Sequence, residues 1–109
     1  FRMREYRNHV RLADLALVTR ALSKFRREHG FPEGGLTHVD ACATALEAQD
    51  FPTAWKHFKA IPFGGMGTFN DYLPSVAYPH EDPNYVWVLD VSLAERWYRL
   101  MKTAAGEAV

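Results

Sequence analysis

Residues 4–29 constrain the fold most: Val10, Ala13, Leu17, Ala21 and Phe25 recur at three- and four-residue steps, and Leu15, Val18 and Leu22 widen the stripe. Apolar residues at that spacing share one face of a helix with 3.6 residues per turn. The other side carries Arg7, Arg11, Asp14, Arg20, Lys24 and Arg27, a face suited to water. Gly30 stands where a left-handed C-terminal cap belongs, and Pro32 prevents continuation. One long amphipathic helix is therefore predicted, and the rest of the chain must cover its apolar stripe.

The remaining punctuation is also helical. Beyond the turn Pro32-Glu33-Gly34-Gly35, Thr37 followed by Asp40 resembles a capping arrangement for a helix over 38–49. Asp50 can cap a third helix over 52–60, with Pro52 in its first turn, burying Trp55, Phe58 and Ile61. The string Pro62-Phe63-Gly64-Gly65-Met66-Gly67 breaks every periodicity, and Thr68 with Asp71 can then cap a short helix over 69–73 that Pro74 ends. Residues 75–84 are polar and turn-rich, an exposed loop. From 85 to 103 the helical period returns, with Trp87, Val91, Ala94, Trp97/Tyr98 and Met101 on one side and Asp90 and Lys102 suiting the helix dipole. Residues 85–89 also fit a short strand, and helix is the reading preferred.

These elements give an all-α domain, an irregular bundle of four to five helices with a glycine-rich loop before a short helix. A chain of 109 residues buries one core, so 1–109 is a single helical domain, with 104–109 as a frayed tail. Phe1-Arg2 ahead of Met3 is either an expression scar before a native start or the end of a shortened or frayed N-terminus. With 48% hydrophobic and 24% charged residues the chain lies far from a disordered composition. The lone Cys42 excludes an intrachain disulfide and sits among alanines as a small core residue. With neither a membrane-length apolar run nor a cleavable leader, the expected location is cytoplasmic.

Formal charge sums to zero but is unevenly placed: residues 1–30 hold eight basic side chains against three acidic ones, and the remainder carries the compensating −5. Such polarity suits a protein partner. Arg4, Arg7, Arg11, Arg20, Lys24 and Arg27 can also track a nucleic-acid backbone, a reading weakened by zero net charge and the lack of a recognition-helix pattern.

No assembled chemistry stands out. Glycines leading into a helix can cradle phosphate, but Gly64–Thr68 lacks the Lys-Ser/Thr of a P-loop and follows a helix instead of a strand. Asn70 and Asp71 are adjacent and do not face each other on a helix, and Asp71 already serves as a cap. His9, His29, His38, His57 and His80 make no His-x-x-x-His pair with a neighbouring Glu, so no metal site and no cofactor are expected. His80-Glu81-Asp82 offers three consecutive ligands on a loop, more in keeping with solvated surface. Ser23, Ser75, Ser92 and Cys42 sit outside any nucleophile-elbow motif, and no catalytic residue is assigned.

One string is distinctive. Gly64-Gly65-Met66-Gly67-Thr68-Phe69-Asn70-Asp71 resembles the Gly-Gly-Met-Gly-Ser/Thr-x-Asn-Asp signature of small uncharacterised bacterial domains, many of which look like immunity proteins encoded beside polymorphic toxins. Thr68 replaces the commoner Ser and keeps the cap, whereas Leu73-Pro74 and the acidic loop after it depart from the pattern. The resemblance implies a non-catalytic protein that neutralises a cognate protein toxin, with the motif residues Gly64, Gly65, Met66, Gly67, Thr68, Asn70 and Asp71 defining the fold. Tyr72, Tyr78, His80, Glu81, Asp82 and Tyr85 are the candidate partner contacts. The alternatives are a small-ligand or phosphate-binding protein or enzyme using the 64–71 loop, and a nucleic-acid-binding domain using the basic first helix.

Overall fold

A computed structural model of the chain describes residues 3–63, 69 and 74–106, with side chains from Leu12 onward. The first amphipathic period forms helix α1, Met3–Glu28. It ends as its sequence dictates: Gly30 takes φ 93°, and Phe31 N donates to Arg26 O at 2.8 Å, closing a left-handed cap. A 3-10 turn over Glu33–Leu36 leads into α2, Thr37–Glu47. Helix α3, Phe51–Ala60, starts at Asp50, whose carboxylate accepts from Thr53 N at 3.2 Å, with Pro52 in the first turn. Helix α4, Pro83–Ala104, starts at Asp82 in the same way.

The protein is all-α: four α-helices and the 3-10 turn, with no strand among the described residues. Helix α1 packs against both α2 and α4, and α3 packs on α2. Phe58 of α3 joins the aromatic core, its ring 5.1 Å from Trp97 of α4 in an edge-to-face contact and 5.1 Å from Phe63. Leu15, Leu22, Leu36, Val39, Cys42, Leu46, Ala54, Ile61, Phe69 and Met101 complete it. Burial pushes the Cys42 thiol up to about 12, so it stays a protonated core residue.

Several sequence expectations need correction. The buried face of α1 is not the stripe of Leu17, Ala21 and Ala13, all of them exposed, Leu17 by 71%. It is Leu15, Thr19, Leu22, Ser23 and Arg26, continued by His29 just past the helix end. Counting apolar residues alone rotates the face, because four of these buried residues are polar and find partners inside. Thr19 Oγ1 donates to Leu15 O and Ser23 Oγ to Asp40 Oδ1. The Thr37 cap does not form: Leu36 is the N-cap without a side-chain bond, and Asp40 serves Ser23 and Arg27 instead. On α4 the inward residues are Val86, Asp90, Trp97 and Met101, whereas Trp87 and Val91 face outward. Residues 85–89 are helical, and Pro83 and Asn84 belong to α4 instead of the preceding loop. Trp55 is only half-buried, stacked between Phe51 and Phe58.

Candidate functional site

Arg26 is the most constrained polar group in the molecule's interior. Its Nε and Nη2 donate to the two carboxylate oxygens of Asp90 at 2.9 and 3.0 Å, a bidentate pair linking α1 to α4. Its Nη1 donates to the backbone oxygen of Phe69 at 2.7 Å, and the guanidinium lies 4.0 Å over the Phe69 ring. Both side chains are almost sealed, at 2% and 3% exposure. Phe69 N in turn donates to Pro62 O at 2.9 Å, so the chain returns to its starting point after the glycine string. Arg26 therefore fixes where that string re-enters the core. Arg26 does not stand out in the sequence, and Asp90, expected to suit the dipole near a helix start, is instead the eighth residue of α4 and pairs with Arg26 at a core position.

An open cavity of about 370 Å³ lies above this pair. Arg26 and Asp90 form its floor, and Trp87, Val91, Ala94, Glu95 and Tyr98 its walls. Around it the first half of α4 is apolar on its outer side too: Tyr85 is 63% exposed, Trp87 47%, Val88 49% and Val91 40%. A helix that is apolar all round is normally covered on every side. The second half of α4 reverts to ordinary surface, with Glu95 and Arg99 paired at 2.8 Å.

The segment 75–82 is pinned to the end of α1. Ser75 N donates to His29 O at 2.9 Å, and Tyr78 Oη donates to Glu28 at 3.1 Å. Glu81 is the centre of the attachment: one carboxylate oxygen accepts from Ala77 N and Tyr78 N at 2.8 and 2.9 Å, the other from His29 Nε2 at 2.8 Å. His29 Nδ1 meets Phe25 O at 2.7 Å. A carbonyl oxygen and a carboxylate both only accept, so this geometry requires a proton on each ring nitrogen and a charged imidazolium. Burial alone disfavours that charge, but the bonds to Glu81 and Phe25 O prevail and hold the His29 pKa above its ordinary value. The His29 hydrogen bond holds Glu81 below the ordinary carboxylate range.

The candidate contact residues thus part company. Glu81 is committed to His29, and Asp82 caps α4 through Asn84 N and Tyr85 N at 2.8 and 3.2 Å. Tyr78 and His80 are exposed and stack on each other at 5.8 Å, while Tyr85 is exposed in the first turn of α4. Tyr72 lies outside the described residues, as do Gly64, Gly65, Met66, Gly67, Thr68, Asn70 and Asp71, their cap and most of the short helix expected over 69–73. The side chains of Arg4, Arg7 and Arg11 lie outside the described residues; of the rest of the basic face of α1, Arg20 pairs with Glu47 at 2.8 Å, Arg27 with Glu33 and Asp40 at 2.7 and 2.8 Å, and Lys24 with Glu28 at 3.9 Å. Ser23 is buried against Asp40, and Ser75 and Ser92 are exposed on separate segments.

Among the described residues no helix is long and apolar enough to cross a membrane. Comparisons with protein-family models, with curated proteins and with solved structures give no match.

Proposed function

We propose that this chain is a non-catalytic protein-interaction module that neutralises a cognate protein toxin, and that it engages this partner through the first half of α4. The observation that carries the reading is the outward apolar surface of Tyr85, Trp87, Val88 and Val91, of which Trp87 and Val91 line an open cavity. Aromatic anchors beside a pocket are the pattern that concentrates binding energy at protein interfaces. The Gly64–Asp71 string, with its resemblance to immunity proteins, supplies the partner class. Arg20 and Arg27, which already neutralise acids of their own chain, favour this over nucleic-acid binding.

Co-expression with the protein encoded beside this chain, followed by purification, tests the proposal. A stable complex that Trp87→Ser weakens at least tenfold is expected; a neighbouring toxin that does not bind overturns it. A second reading, a small ligand in the cavity, draws on a volume of about 370 Å³ that lies within the usual range of ligand pockets. Thermal shift with inorganic phosphate and nucleotides separates the two, since a ligand at 100 times its Kd stabilises by about 2.7 kcal/mol.

A further inference from the structure

We infer that His38 of α2 and His57 of α3 form a chelating site for a divalent transition-metal ion of the zinc or copper kind, independent of the α4 face. Their Nδ1 atoms stand 3.1 Å apart, with ring centroids 5.3 Å apart. Two imidazole nitrogens bound to one ion at about 2.0–2.1 Å lie roughly 2.9 Å apart at a right angle and roughly 3.3 Å apart at the tetrahedral angle. The observed separation falls between those limits. Without an ion, two neutral rings facing through Nδ1 share a single proton, one donating and one accepting. An ion in that place uses both lone pairs.

The fold holds the two rings in register. His38 is the second residue of α2 and His57 the seventh of α3, two helices that pack together. The turn between them is closed by Asp50 N donating to Ala45 O at 2.8 Å, with Gln49 in the left-handed region at φ 59°. His38 is exposed and His57 half-buried, so an ion can enter from solvent. Among the described residues no group of three or more His, Cys, Asp or Glu gathers round one point, so water completes the coordination. Imidazole ligands select copper, nickel and zinc and reject magnesium and calcium, which require oxygen. Nothing in the spacing announced the pair, because its members lie on different helices.

Calorimetric titration of the full chain with Zn²⁺ at pH 7.5 tests the site, with His38→Ala, His57→Ala and the double variant alongside. The second imidazole is delivered at the effective concentration that the fold sets, so losing either ligand should weaken the first Zn²⁺ by tenfold or more. The double variant should bind no more weakly than either single, because one lost ligand already abolishes chelation. Zn²⁺ should also raise the melting temperature of the wild type alone, and Mg²⁺ should do neither. Both positions lie at the surface, so the variants are expected to fold, which their helical circular dichroism checks. Wild-type affinity equal to that of the double variant overturns the site and leaves a simple hydrogen bond. Additive losses in the two singles overturn it as well, since they mark two independent ligands.

Discussion

Two ion pairs leave the buried face of α1 three residues apart, and they do different work. Arg26 reaches Asp90 of α4 and Phe69 O; His29 reaches Glu81 of the 75–82 segment. Both cations are nearly sealed and both carboxylates sit on other parts of the chain. A guanidinium keeps its charge at any pH at which proteins fold, whereas an imidazolium loses its charge near neutrality. The first pair therefore joins two helices without a histidine, and the second attaches a surface segment on terms set by one.

The largest effect should come from breaking the Arg26–Asp90 pair. Asp90→Ala breaks a buried, bidentate ion pair by removing one member, which typically costs about 3–5 kcal/mol. Urea unfolding should register that loss, a large part of the roughly 5–15 kcal/mol that holds a domain together. Replacing both members, Arg26→Met with Asp90→Leu, should recover much of it, because apolar residues of similar volume often substitute for a buried pair. A loss below about 1 kcal/mol in the single variant would mean that water reaches Arg26 and the pair is no core element.

The conditional pair should show itself as a pH dependence, smaller than the Asp90 effect. His29 has a raised pKa, so its contribution is complete below its unfolded value of about 6.5 and fades as pH rises through the folded value. Glu81 has a lowered pKa, so its contribution is complete above about 4.5 and fades as pH falls through the folded value. Their joint benefit is greatest between those two limits. Comparing wild type with Glu81→Gln across pH 4–9 should show the difference narrowing on both sides. Protection of the Ala77 and Tyr78 amides, which bind Glu81, should fall above neutrality once the intrinsic acceleration of exchange with pH is divided out. A flat difference would contradict the imidazolium.

The contrast also marks what a sequence can disclose. Helix bounds were legible wherever a backbone rule acts locally: Gly30 at its positive φ, the Asp50 carboxylate accepting from Thr53 N, Pro52 and Pro83 in first turns. The immersed face of α1 was not, because Thr19, Ser23, Arg26 and His29 look like surface until their partners are known. Those partners lie far along the chain, Asp90 being 64 residues from Arg26 and Glu81 52 from His29. For the same reason His80-Glu81-Asp82 read as one solvated cluster, although two of its three members are already occupied. The outward apolar half of α4 was hidden in a different way, since Trp87 and Val91 fit a helical stripe as well as Val86 and Trp97 do. Choosing between stripes requires knowing which residue faces Arg26.

Asp82, next to Glu81, sharpens the comparison from the side. It caps α4 and binds no cation in the described structure, so Asp82→Ala should cost about 1 kcal/mol, the usual value of an N-cap. Its described partners are two backbone amides and no histidine, so that cost should not follow the His29 titration as its neighbour's does. Denaturation of the two variants at pH 6 and pH 8.5 distinguishes capping from ion pairing within one dipeptide.

The smallest effect on stability should fall on the surface that matters most for binding. Tyr85 is 63% exposed at the start of α4, so Tyr85→Ala should change unfolding free energy by no more than about 0.5 kcal/mol. The same change should weaken the partner complex at least tenfold, since an aromatic anchor at the centre of an interface typically contributes more than about 1.4 kcal/mol. Asp90→Ala marks the opposite extreme, moving stability far more. A variant that shifts binding without stability locates a contact surface; one that shifts stability first locates the core. Should Tyr85→Ala melt the protein as Asp90→Ala does, the first turn of α4 belongs with the Arg26 pair and the contact surface lies elsewhere.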